Sequence, residues 1–279
     1  MKKRCDLHTH SCFSDGTLTP SQLIKLAEET GLAAVALCDH NTVAGLPGFV
    51  EAAQGSAVEA VPGIEFSAEY RGTELHILGL FLREKHYEAV NALLSEAMER
   101  KKQSNMALVR KLAEQGLPVH YEAIEAEAGG TVNRAVIGAY LLRHGFCNSM
   151  EEAFDRWLNL ERGLYVPPKR PDAFEVIRFI KSIGAVAVLA HPFLNLAELQ
   201  LREFLEQAKG LDGIEVYYSK FSREQIALLE QIASEYGLIC SGGSDFHGSN
   251  KPKLRMGTGY GDLEVPIRAL EELKKRISE

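Results

Sequence analysis

Asp6, His8 and His10 stand at alternate positions in Asp6-Leu7-His8-Thr9-His10, and alternate residues of a β-strand share one face. Two imidazoles side by side, with the Asp15 carboxylate just beyond, make a donor set suited to a divalent metal ion. A neutral imidazole offers a nitrogen lone pair, and a carboxylate offers oxygens and cancels positive charge. The same spacing also fits two polar residues on a strand rim. The choice depends on what the rest of the chain supplies.

The chain supplies a good deal. Asp39-His40, Glu65, His76, His191 and Asp245-Phe246-His247 all fall on predicted strands or at their ends. Six histidines (His8, His10, His40, His76, His191, His247) thus accompany Asp15, Asp39, Glu65 and Asp245. As cations they would repel one another, and as buried neutrals they would leave lone pairs unused. A bound metal uses those lone pairs, so metal binding is expected. His86, His120 and His144 fall in a helical stretch and are read as surface or packing residues. The five cysteines (Cys5, Cys12, Cys38, Cys147, Cys240) show no C-x-x-C spacing. They are read as reduced, mostly small core residues, Cys12 included although it lies between candidate ligands.

The elements that must carry these residues alternate. After the opening strand, Thr19-Pro20-Ser21-Gln22 reads as a helix start with a capping box, and Gly31 as its end. Ala33–Cys38 is a continuous apolar run, as in a buried parallel strand. A short helix near Gly48–Ala53 precedes a strand at Ala57–Val61, expected to end at Pro62-Gly63-Ile64-Glu65. Tyr70–Thr73 reads as a turn into a strand at Glu74–Leu80. From His86 the pattern is helical: His86–Gln115, Tyr121–Ala128, Asn133–Arg143 and Ser149–Leu158. The β/α rhythm resumes with helices at Asp172–Ile183, Leu196–Lys209 and Ser222–Tyr236. They lead to strands at Ala185–Ala190, Gly213–Tyr217 and Leu238–Ser241, and a last helix spans Pro266–Ser278. Strand ends far apart in sequence would converge on the C-terminal rim of a β/α barrel, where such folds carry their sites.

With 279 residues, 46% hydrophobic and 25% charged, the chain suits one large α/β domain carrying an insertion. A net charge of -7 argues against a surface for long nucleic acid. A small phosphorylated substrate remains compatible, because bound metal adds local positive charge. The basic start Met1-Lys2-Lys3-Arg4 is followed by no apolar h-region, and no run approaches a membrane span. A cytoplasmic protein without membrane partners is expected.

Asp6-Leu7-His8-Thr9-His10, Ser14-Asp15-Gly16, Cys38-Asp39-His40, Pro62-Gly63-Ile64-Glu65, His76, Ala190-His191-Pro192 and Gly243-Ser244-Asp245-Phe246-His247 resemble the motifs of the PHP (polymerase and histidinol phosphatase) superfamily. The likeness is to its stand-alone metal-dependent phosphoesterases, which act on nucleoside 3′,5′-bisphosphates and on 5′ ends of short RNAs. It implies an α/β fold, a distorted seven-stranded TIM-like (β/α) barrel formed by residues 1–84 and 165–279. An all-helical insertion, 85–164, would serve as a lid.

The resemblance also implies two or three divalent ions. His8, His10, Glu65 and Asp245 would hold one; Asp15, His40 and His247 a second; His76 and His191 a third, with Glu65 bridging. Asp39 is expected to orient an imidazole rather than bind metal. A nitrogen and oxygen donor set without thiolate suits manganese, iron or zinc better than magnesium. His8, His10, Glu65, His191 and Asp245 would then be the catalytic set, through a metal-bridging hydroxide that attacks the phosphorus in line.

For the substrate, Arg134 at the start of the Asn133–Arg143 helix could grip phosphate together with the helix N-terminus; Lys169 and Arg170 are weaker candidates. Related proteins carry a histidine two residues after the arginine, where this chain has Val136. The expected reaction is hydrolysis of a phosphate ester of a small phosphorylated substrate, a nucleotide or a short RNA end. The alternatives are histidinol-phosphate phosphatase, an exonuclease on short 5′-phosphorylated RNA, and an inactive binding module. The retained ligands argue against the last.

Overall fold

The computed structural model describes residues 3–128, 132–159 and 163–278. The chain forms two compact units, Met1–Asn91 with Arg170–Glu279, and Ala92–Lys169.

The first unit is built on a seven-stranded sheet, nearly closed into an α/β TIM-like barrel. Its strands are β1 (Cys5–Thr9), β2 (Ala34–Leu37), β3 (Glu59–Tyr70), β4 (Thr73–Leu80), β5 (Val186–Leu189), β6 (Gly213–Tyr218) and β7 (Ile239–Gly243), paired in sequence order. β2 and β5 are buried at every position, which is why they read as unbroken apolar runs. Leu7, Ala36, Leu78, Leu80, Val186 and Val188 share one core with Leu270 and Leu273 of the C-terminal helix.

Two features depart from the sequence expectation. The third strand does not end at Pro62-Gly63 but runs on to Tyr70. Its first half pairs in parallel with β2 as far as Leu37↔Pro62, and its second half pairs antiparallel with β4 from Gly63↔Leu80. Proline lacks a ladder donor, and here it falls where the strand changes partner. At Gly63 a Cβ would lie 3.0 Å from both Cys38 Sγ and Leu80, so the crossover is tight. Secondly, β4 is antiparallel to both neighbours. The tight turn that reverses the chain places Arg71 and Gly72 at φ 50° and 80°, the geometry that favours two-residue hairpins. Glu65 therefore sits within a strand, and His76 reaches the rim from the first half of β4.

The circle closes between β1 and the end of β7. The Asp245 N–H donates to His8 O at 2.9 Å and the His10 N–H to Phe246 O at 2.9 Å. A Cβ on Gly243 would lie 2.4 Å from His8 Cβ, so only glycine permits this approach.

Helices follow their sequence signals. In α1 (Pro20–Glu29) Thr19 and Gln22 form the capping box. α2 is Leu46–Ala52. The second unit is helical among its described residues. It takes most of α3 (Tyr87–Glu114), with α4 (Tyr121–Ala128), α5 (Arg134–Arg143) and α6 (Met150–Ala153). They share a core that includes Leu108, Leu112, Ile124, Ile137, Leu141 and Leu158. The helix expected over 149–158 is α-helical only to Ala153, and Phe154–Leu158 is a π-helical turn, its Asn159 N–H bonding to Phe154 O at 3.0 Å. Beyond it lie α7 (Ala173–Ser182), α8 (Glu198–Leu205), α9 (Arg223–Tyr236) and α10 (Ile267–Lys274) in the first unit. Among the described residues no helix is long and apolar enough to cross a membrane.

Candidate metal centre

Glu65, fully buried on β3, is the hub of the rim. Its Oε1 lies 2.7 Å from His76 Nδ1 and 3.0 Å from His191 Nε2. Its Oε2 lies 3.2, 3.3 and 3.0 Å from His8 Nε2, His10 Nε2 and His40 Nδ1. Those last three contacts are close but lack hydrogen-bond direction: His8 Nε2, both nitrogens of His10, His40 Nδ1, His191 Nδ1 and Glu65 Oε2 have no hydrogen-bond partner. Buried polar atoms are ordinarily satisfied. Six unsatisfied nitrogen and oxygen atoms on the residues around Glu65 fit a site shaped for cations.

Four groups have ligand atoms lying within 4.8 Å of one another: His10, Asp15, His40 and His247; His8, Glu65 and His191; His8, His10 and Asp245; and His40, Glu65 and His76. All nine candidate ligands of the sequence are thus brought together, though the groups overlap more than expected. His8, His10, His40 and Glu65 each belong to two, and His191 groups with His8 and His76 with His40, while both rings meet Glu65 Oε1. The donors are imidazole and carboxylate only, which fits divalent ions of the manganese, iron and zinc type.

Local structure aims each ligand. His40 follows β2 on a segment zipped to β3: Asn41 N–H donates to Glu65 O at 2.9 Å, and the Asn41 side chain pairs with Ser67. Asp245 and His191 have φ of 58° and 27°, left-handed conformations that cost energy outside glycine and concentrate at functional sites. Asp245 Oδ2 accepts from Tyr218 Oη at 2.8 Å and Lys251 Nζ at 2.7 Å, which leaves Oδ1 facing His10 at 3.3 Å. His247 Nδ1 donates to Asp245 O at 2.8 Å, turning Nε2 toward Asp15 Oδ1 at 3.2 Å.

The electrostatics are those of interlocked charges without a cation. Burial disfavours a charged His10, but the Asp245 and Glu65 carboxylates, each 3.3 Å from its Nε2, outweigh it and push the ring up to about 9. Burial likewise opposes a charged His76, yet the Glu65 carboxylate pushes it up to about 10. His40 is pulled down to about 3, chiefly by burial. Burial would raise Glu65, but the His40, His8 and His76 charges hold it well below the carboxylate range.

The expectations for Asp39 and Cys12 need correction. Asp39 does not orient an imidazole. Its carboxylate accepts from Ser11 N, Ser11 Oγ and Ser14 Oγ at 2.8, 2.5 and 2.6 Å, pinning the loop that carries Asp15. Cys12 is exposed on that loop and is no core residue; the loop turns outward immediately after Ser11. Arg134 stands at the first position of α5, after the Asn133 cap. Its guanidinium lies over the Tyr165 ring at 4.4 Å and donates to Leu158 O at 3.3 Å. Thr131, in the same motif, lies outside the described residues. Lys169 is exposed, and Arg170 is engaged with Glu74 at 2.7 Å.

Sequence reasoning missed Asp6 as a support, and Glu215, Tyr218 and Lys251 altogether. Asp6 is fully buried and accepts from Ser244 N, Ser244 Oγ and Gly257 N at 2.8, 2.5 and 2.7 Å. Glu215 had a usable signal, a lone charge in the middle of the apolar run Gly213–Tyr218. Tyr218 had none, because a register shift between Glu215 and Tyr217 alters which residues face the rim.

The PHP domain family matches residues 6–166. Over 250 residues, 88% of this chain and 91% of the relative, the chain is 34% identical to a 5′-3′ exoribonuclease of Haemophilus influenzae. It is 33% identical over 253 residues to the phosphoribosyl 1,2-cyclic phosphate 1,2-diphosphodiesterase of Eggerthella lenta, covering 87% of this chain and 94% of the relative. Against the 3′,5′-nucleoside bisphosphate phosphatase of Chromobacterium violaceum it is 29% identical over 252 residues, covering 87% and 86%. A metal-dependent phosphoesterase candidate from Bifidobacterium adolescentis superposes with a TM-score of 0.86 at 28% identity, covering 99% of this chain and 97% of that one. The family match, the likeness to these relatives and the donor-lined rim agree, and the chain belongs to the PHP domain family as a metal-dependent phosphoric ester hydrolase.

Proposed function

We propose that His8, His10, Asp15, His40, Glu65, His76, His191, Asp245 and His247 hold two or three divalent ions, manganese, iron or zinc. With them the chain releases phosphate from a small phosphorylated substrate, a nucleoside 3′,5′-bisphosphate or a related nucleotide. The observation that carries this reading is the set of buried, unpartnered donor atoms around Glu65. Bound ions in such a site lower the pKa of water and offset the charge of phosphate oxygens. The chain's own part is to fix donor positions. Glu65 presents both oxygens to five imidazoles. Tyr218 and Lys251 hold Asp245 by one oxygen so that the other faces the histidines, and the Asp39 bonds to Ser11 and Ser14 hold the loop from which Asp15 projects. Arg134, on an N-capped helix start, is proposed to contact substrate phosphate.

A second reading, exonuclease action on short 5′-phosphorylated RNA, is favoured by the 34% identity to the Haemophilus influenzae relative. Metal-loaded protein offered nucleoside 3′,5′-bisphosphate, short 5′-phosphorylated RNA, phosphoribosyl 1,2-cyclic phosphate and histidinol phosphate in parallel tests both. The first reading expects the highest kcat/KM on the bisphosphate. A higher value on RNA selects the second, and turnover confined to either remaining compound rejects both.

A further inference from the structure

β6 contributes no candidate ligand, yet its Glu215 is fully buried with its carboxylate divided between two rim histidines. Oε1 lies 2.9 Å from His8 Nδ1, and Oε2 lies 2.7 Å from the backbone nitrogen of His191. A backbone N–H can only donate, so Oε2 accepts. An ionised carboxylate can only accept, so Oε1 takes its hydrogen from His8 Nδ1. In the neutral ring that a metal ion requires, that assignment leaves the lone pair of His8 on Nε2, the atom that faces Glu65 Oε2 at 3.2 Å without a hydrogen bond. On the other side, His191 adopts φ 27° and ψ 57° immediately before Pro192, a backbone conformation that a β-substituted residue keeps only when its surroundings enforce it.

We propose that Glu215 is a positioning residue of the metal centre: one carboxylate fixes His8 as its Nδ1–H tautomer, and simultaneously holds the His191 backbone so that this ring meets the same Glu65. The inference rests on the metal-centre reading above. A local irregularity makes it workable. Pairing passes from Glu215↔Ser241 to Tyr217↔Gly242, so two residues of β6 advance against one of β7. The alternation of side chains shifts by one place beyond that bulge. Glu215 and Tyr218 then both reach the rim, although they stand three positions apart. Tyr218 bonds to Asp245 and Glu215 to His8. Opposite the bulge a Cβ on Gly242 would lie 2.4 Å from Tyr217 O, so the bulge requires that glycine. Carboxylates that orient metal-binding histidines through the distal ring nitrogen are a general device for tuning such sites.

The test uses full-length protein with Zn²⁺ as probe. In Zn²⁺-loaded wild type, ¹⁵N NMR of the imidazoles should show His8 with its proton on Nδ1 and metal on Nε2. Glu215→Gln keeps the shape but cannot accept from both N–H groups. Its Zn²⁺ affinity, read by competition with a chromophoric chelator, should fall about 10- to 100-fold. A purely structural role would instead lower the melting temperature of the metal-free form and leave the affinity of the folded protein unchanged. A His8 proton on Nε2 in wild type overturns the proposal whether or not the variant folds. Affinity of Glu215→Gln within about twofold of wild type overturns it too. Wild type that takes up no Zn²⁺, Mn²⁺ or Fe²⁺ brings down the metal-centre reading itself, an outcome distinct from the other two.

Discussion

Glu65 in the barrel and Glu127 in the helical unit each gather basic side chains, in opposite settings. Glu127 is exposed, and it takes Arg143 Nε at 2.7 Å and His144 Nε2 at 2.9 Å, with the His144 ring stacked on Tyr140. Water solvates every partner there, and such surface pairs contribute little to stability. Glu65 has no exposure and five imidazole nitrogens within 3.3 Å. Folding alone gives no return for crowding those groups out of water. The rim crowds groups that only a further ligand would satisfy, whereas the groups around Glu127 are satisfied by one another and by water.

The comparison is broken most severely by removing a rim donor. Asp245→Asn should lower phosphate release by about 10³-fold or more, since several kcal/mol of transition-state stabilisation is lost, with little change in the circular-dichroism melting curve. Activity within tenfold of wild type would remove Asp245 from the site. Next in size is the helical unit. Leu141 is fully buried in its core, so Leu141→Ala should destabilise by about 2–5 kcal/mol in denaturant titration. Zn²⁺ affinity of the folded protein should stay within about threefold, and a larger loss would erase the contrast between the units.

Metal removal sharpens the contrast from the other side. Ions at about 100 times their Kd add about 2.7 kcal/mol to the folded state. Chelation should therefore lower the melting temperature by several degrees and abolish activity, both restored by Mn²⁺ or Zn²⁺.

The proton ledger has a definite sign. Against the opposing effect of burial, the Glu65 and Glu215 carboxylates raise His8 well above the ordinary histidine range, and His10 and His76 are raised to about 9 and about 10. The metal-free protein therefore holds those protons at neutral pH and metal must displace them. Calorimetry in buffers of different ionisation enthalpy should find about three protons released at pH 7.5, fewer as pH rises through 9 to 10 and His10 and His76 lose theirs. Because His10 and His76 are raised, their contribution to metal-free stability is complete below the ordinary histidine range and is lost through that same alkaline window. The smallest effect belongs to Arg134→Ala, expected to raise KM about tenfold with kcat held within about twofold. An unchanged KM would leave the arginine to its stacking on Tyr165.

Much of this was legible because the ligands are chemically conspicuous. His8-x-His10, Asp39-His40 and Asp245-x-His247 stand out against apolar strands, and the capping box at Thr19 fixed a helix start that the structure retains. What escaped were features set by partners remote in sequence. Pro62 looked like a strand end because its second pairing partner, β4, cannot be read locally. Asp39 looked like a support for His40, its chain neighbour, whereas its bonds go back to Ser11 and Ser14. Tyr218 was hidden because one bulge on β6 inverts the expected facing of every residue after it.

The closure of β1 onto β7 carries a consequence for how the protein is made. Asp6 bonds to Gly257 and His8 to Asp245, contacts across more than 230 positions of sequence. Long-range pairing of that kind folds slowly. On the ribosome, the first strand must wait unpaired on one edge until nearly all of the chain has emerged, with His8 and His10 already exposed and able to take metal badly. A nascent chain ending short of residue 245 lacks part of every donor group that contains His247 or Asp245. On the proposed metal-centre reading, productive loading is thus a late event in biogenesis, and metal content would report on whether the last strand has docked.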